Sequence, residues 1–96
     1  MKPETKAIHR GRSQAAEVAP LTTPIYESTT FVFDSAADVE AHAEGRSARY
    51  LYSRYENPTV EAVEGVVAEL EGAESARLFA SGMAATVTTL AGLLKA

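Results

Sequence analysis

The chain has 96 residues, 46% of them apolar, and 9 Lys and Arg against 13 Asp and Glu give a net charge of −4. That length suits one small domain with a marginal core, the apolar share excludes a polar disordered chain, and the acidic balance argues against nucleic acid as a partner. The absence of cysteine excludes disulfide frameworks, thiolate metal sites and cysteine nucleophiles, and fits a cytoplasmic setting.

The first residues are charged and lack the apolar stretch of a secretory signal. Residues 1–24 carry Pro3, Pro20 and Pro24 and show no sustained periodicity, so an extended arm is expected there. Residues 25–33 are rich in β-branched and aromatic types and are expected to be extended or strand-like. Ser35, with Asp38 three positions on, resembles a capping box and predicts a helix over 36–44 that stops at Gly45. Arg46 to Tyr55 is a polar loop bearing arginine and tyrosine.

Asn57 is a strong N-cap and Pro58 suits the first helical position, so a second helix should run from there to Gly72. Val60, Val63, Val67 and Leu70 recur at helical spacing and predict its buried stripe, with Glu61, Glu64 and Glu71 on a solvated face. Ser75 to Ala80 predicts a short buried strand. Ser81 then caps a helix over 83–95 that is apolar on nearly every side. Such a helix belongs inside something larger than 96 residues can build. The charge-free run Leu78–Leu94 is too short and mixed to span a membrane, and no membrane partner is expected.

Two places carry chemistry. At Ser81-Gly82-Met83 a tight turn opens a helix, whose first N–H groups and dipole favour a bound anion such as phosphate. Tyr52 and Arg54, two positions apart, offer a hydroxyl and a guanidinium fork suited to the same anion. The turn at Ser81 lacks the Gly-x-Ser-x-Gly pattern of a nucleophile, and no ligand spacing joins His9 and His42, so no metal is expected.

With these residues in place, the chain resembles the cysteine/methionine metabolism family of pyridoxal-phosphate enzymes. The resemblance runs in order along the whole chain: Thr5 to Gly11, Pro24-Ile25-Tyr26 to Phe31, Tyr52-Ser53-Arg54 with Asn57-Pro58-Thr59, Leu70-Glu71-Gly72, and Ser81 to Ala85. It implies an α/β fold of type I, aspartate aminotransferase-like, assembled from identical subunits as a dimer of dimers. On that fold, residues 1–56 would be an extended arm and inter-subunit loop, and 57–96 the beginning of the large cofactor-binding domain. The resemblance further implies pyridoxal 5′-phosphate as cofactor. Gly82 and Met83 would give it backbone N–H bonds in their own subunit, while Tyr52 and Arg54 would reach the phosphate held by the neighbour.

The same resemblance implies trans-sulfuration, with elimination or replacement at the γ or β carbon of a small amino acid such as cystathionine, an O-acylhomoserine or methionine. The family's Schiff-base lysine is expected beyond Ala96, leaving no catalytic residue within 1–96 and an inactive isolated chain. Lys95 does not replace it, since an intervening helix puts it about 18–20 Å from Gly82 at 1.5 Å per residue. The alternative is a non-catalytic fragment or small subunit that serves oligomerisation alone.

Overall fold

Capping chemistry sets the helices of this chain. The computed structural model describes residues 1–9 and 20–95, and the helices in that span are α1 (Pro3–His9), α2 (Ala36–Ala43), α3 (Pro58–Glu71) and α4 (Gly82–Leu93). Ser35 caps α2 by accepting from the Asp38 N–H at 3.2 Å, while its hydroxyl donates to the Asp38 carboxylate at 2.9 Å. Beyond α2, Gly45 takes the left-handed backbone (φ 73°), and the Arg46 N–H returns to the Ala41 carbonyl at 2.8 Å.

Helix α3 shows the same logic at both ends. Asn57 accepts from the Thr59 N–H at 2.9 Å, Pro58 opens the helix, and Gly72 closes it with φ 65°. Ser81 caps α4, accepting from the Ala84 N–H at 3.0 Å. Helix α4 begins one residue before the sequence expectation and ends at Leu93, two residues short of it.

The extended arm is corrected at its start. Pro3 opens a helix, because a proline in the first turn has no N–H to satisfy and its φ is already helical. The Lys6 N–H bonds to the Lys2 carbonyl at 3.0 Å, and the Lys6 ammonium lies 3.5 Å from Glu69 on α3. Ala7 and Ile8 face Ala62, Val63 and Val66 across an apolar hollow of about 360 Å³. The part of the arm over 10–19, with Arg10, Gly11 and Arg12, lies outside the described residues, as do the His9 side chain and Ala96.

The strand expected over 75–80 is not formed. A strand is defined by its neighbour, and among the described residues pairing is confined to an isolated antiparallel bridge between Thr30 and Tyr52. Leu78 and Phe79 are exposed accordingly. Glu64 holds this segment to α3 instead: its carboxylate accepts from the Leu78 N–H at 2.9 Å and from Arg77 at 3.0 Å. Its side chain is only 12% exposed, so the solvated acidic face expected of α3 does not extend to Glu64.

Packing is sparse. Among the described residues Asn57, Pro58 and Ala68 are buried and no large side chain is fully enclosed. Val60, Val63 and Leu70 of the expected buried stripe are each more than 40% exposed, so the stripe is covered only in part. Helix α4 buries no residue, and Met83, Val87, Leu90 and Leu93 all stand open. The radius of gyration is 15.7 Å, against about 12.5 Å for a compact domain of this length. Helices α2, α3 and α4 are capped, and much of their apolar surface stands open among the described residues.

Candidate functional site

The segment 24–31 and the turn 52–59 clasp each other, and the clasp carries two of the predicted site residues. The Phe31 N–H bonds to the Leu51 carbonyl at 3.1 Å, and the Ser53 N–H to the Thr29 carbonyl at 2.8 Å. The Ser53 hydroxyl donates to the Ser28 carbonyl. The N–H groups of Tyr55 and Glu56 fold back onto the Tyr52 carbonyl at 3.0 and 3.1 Å, closing the turn around Arg54.

Within that turn the Arg54 guanidinium lies over two rings, 4.8 Å from the Tyr52 centroid and 5.5 Å from that of Tyr55. The Tyr52 and Tyr55 rings meet edge to face at 6.1 Å. No carboxylate among the described residues pairs with Arg54, and the aromatic faces hold the cation without neutralising it. Its charge remains available to an anion.

Gly82 and Met83 open α4 beside their cap. Ser81 takes the Ala84 N–H through its hydroxyl and the Ala85 N–H through its carbonyl at 3.1 Å. The N–H groups of Gly82 and Met83 have no partner among the described residues, as expected of a helix's first turn. A Cβ placed on Gly82 would meet no atom within 4 Å, so the chain's own packing does not demand glycine here. The open space, two free donors and the helix dipole suit a phosphate group that comes close to the backbone.

Arg54 lines an open groove of about 690 Å³ between the turn, α3 and the 77–80 segment, with Tyr55, Glu61, Glu64, Arg77 and Phe79 on its walls. The groove ends at Ala80 and includes neither Gly82 nor Met83.

Three residues make contacts that their sequence context does not suggest. Asn57, expected only as a cap, also donates to the Tyr26 carbonyl at 2.9 Å and to the Ser53 hydroxyl at 3.0 Å. Thr59 accepts from the Tyr26 N–H and donates to the Pro24 carbonyl, both at 2.8 Å. The Tyr50 hydroxyl donates to Glu61, and desolvation together with that carboxylate pushes its pKa up to about 12. A threonine after Asn-Pro was the available signal, since a cap does not require it.

Comparison with known proteins bears on this geometry. A family model described as Cys/Met metabolism PLP-dependent enzyme matches residues 4–96. The chain is 44% identical over 90 residues to O-acetyl-L-homoserine sulfhydrylase of Corynebacterium glutamicum, covering 94% of this chain and 21% of that protein. It is 38% identical over 91 residues to L-methionine gamma-lyase of Pseudomonas putida, covering 95% and 23%. Among solved structures it is similar to metB from Corynebacterium glutamicum, with a TM-score of 0.81, 38% identity, and coverage of 99% of this chain and 23% of that chain. The chain thus spans about a fifth of the length of the curated relatives it matches. Its backbone follows the corresponding part of the type I fold of these PLP-dependent proteins. No helix among the described residues is long and apolar enough to cross a membrane.

Proposed function

The chain belongs to the Cys/Met metabolism PLP-dependent enzymes, and we propose that it forms the N-terminal portion of a cytoplasmic trans-sulfuration enzyme. Its part in that enzyme is to grip the phosphate of pyridoxal phosphate. The observation that carries this reading is the pair of N–H groups at Gly82 and Met83 without a partner among the described residues, beside space that a Cβ on Gly82 would enter freely. When bound, the cofactor supplies an electron sink for bond cleavage at the γ or β carbon of a small amino-acid substrate.

This chain's residues bind and orient. Gly82 and Met83 donate to the phosphate in their own subunit, and the start of α4 adds its dipole. Arg54 and Tyr52 reach a second phosphate, held by the neighbouring copy in a dimer that pairs again into a tetramer. Residues 1–56 act as the arm and inter-subunit loop, and 57–96 begin the large cofactor-binding domain. The residues that move protons and bonds lie outside 1–96, so the isolated chain is inactive.

The fixed base of the turn from which Arg54 projects supports a reach beyond its own chain. Equilibrium dialysis of the intact protein against pyridoxal phosphate and against pyridoxal tests the reading. A phosphate grip of several charge-assisted hydrogen bonds predicts that the phosphorylated form is held at least about tenfold more tightly. Equal retention of the two forms contradicts it.

A further inference from the structure

Asn57 is the buried polar side chain of the described residues, 9% exposed, and it does more than a cap requires. A cap needs an acceptor, which serine or aspartate provides as well as asparagine. Here Oδ1 takes the Thr59 N–H, and both amide N–H groups are spent elsewhere, one on the Tyr26 carbonyl and one on the Ser53 hydroxyl. Three of the four hydrogen-bonding positions of the amide are thus filled. No other side chain of similar size offers two donors and an acceptor in that layout.

Ser53 stands between Tyr52 and Arg54. Its N–H and hydroxyl are tied to the Thr29 and Ser28 carbonyls, and its oxygen receives the Asn57 amide. The root of the Arg54 side chain is therefore fixed from one side by segment 28–29 and from the other by the first turn of α3. We propose that Asn57 is a positioning residue for Arg54. By joining Tyr26, Ser53 and α3 at one buried point, it fixes the turn from which the guanidinium reaches its anion. A side chain held at its root loses less freedom on binding, so the contact costs less ordering entropy.

This inference rests on the reading of Arg54 as a phosphate ligand, and the test separates the two. Asn57→Ser keeps a capping oxygen and removes both amide donors. Ser53→Ala removes the acceptor of the same bond without touching the cap, and keeps the test open should the first variant not fold. Each is made in the intact protein, alone and with Arg54→Ala. Pyridoxal-phosphate retention is followed by dialysis, and amide exchange is followed over 53–56. Either variant alone should weaken retention about five- to tenfold and speed exchange in the turn. With Arg54 already replaced it should cause no further loss of retention, because coupled residues do not add.

A full additional loss in the Arg54→Ala background overturns the proposal, since Asn57 would then support the fold at large. So does unchanged retention in the single variants while Arg54→Ala alone is defective, and in that case the phosphate contact still stands. If Arg54→Ala itself retains cofactor normally, the phosphate contact falls and the positioning role falls with it.

Discussion

Arg54 lies across the face of Tyr52, its guanidinium carbon 4.8 Å from the ring centroid, with the Tyr55 ring beside it at 5.5 Å. The cation is held by π faces rather than by a carboxylate, which orients it and leaves its charge uncompensated.

Replacement of Arg54 should therefore show itself in cofactor binding. Arg54→Ala in the intact protein should weaken pyridoxal-phosphate retention by roughly ten- to a hundredfold, the loss of one charge-assisted contact. Arg54→Lys should recover part of it, because an ammonium restores charge but neither the fork nor the flat stacking surface. Dialysis of both variants beside the parent measures the difference. Unaltered thermal stability in Arg54→Ala would assign the loss to binding.

Gly82 separates space from hydrogen bonding. Gly82→Ala meets open space within the chain and improves helix propensity by up to about 1 kcal/mol, so α4 itself should not suffer. If phosphate abuts this backbone, the added methyl should still lower retention. Gly82→Pro removes the N–H at a position where proline is well tolerated, and Ser81 before it is already extended (φ −153°, ψ 159°). Loss of retention in Gly82→Pro with native helix content is the expected result, read by dialysis and circular dichroism.

How far the sequence revealed this fold depended on the range of each interaction. Ser35, Asn57, Gly72 and Ser81 act within about one turn of their own positions, and the helix ends they imply are within two residues of those observed. The all-round apolar surface of α4 was also legible, and its exposure in the chain agrees with a missing core. Helix α1 escapes a reading of Pro3 as a helix breaker, because proline in the first turn permits a helix. The strand over 75–80 failed for a different reason. Apolar runs suggest strands, but pairing needs a neighbour the described residues do not provide. The clasp at Asn57 was hidden because a cap and an amide that also bonds 31 positions away look the same in sequence.

The phenol of Tyr50 gives a pH signature for the contact between the 46–55 loop and α3. Its folded pKa is raised, first by desolvation and then by Glu61, to about 12 from the ordinary 10.0. The folded state thus keeps a proton that the unfolded chain releases. The stabilising contribution is complete below pH 10 and is lost as the pH climbs from about 10 to about 12. Spectrophotometric titration should show a late phenolate that disappears in Tyr50→Phe. Glu61→Gln should move it earlier without restoring the ordinary value, since desolvation remains.

The central claim is that the two halves of one phosphate grip come from different copies of this chain. Mixed dimers of Arg54→Ala and Gly82→Pro subunits, purified by two distinct tags, test it with residues of 1–96 alone. If the grip crosses the interface, one site in each mixed dimer combines an intact Gly82 with the neighbour's intact Arg54, and the other site carries both defects. Cofactor retention should then return at one site per mixed dimer with the affinity of the parent protein. If both sites of the mixed dimer stay as weak as those of the two homodimers, Arg54 and Gly82 serve a phosphate within the same chain and the account is wrong.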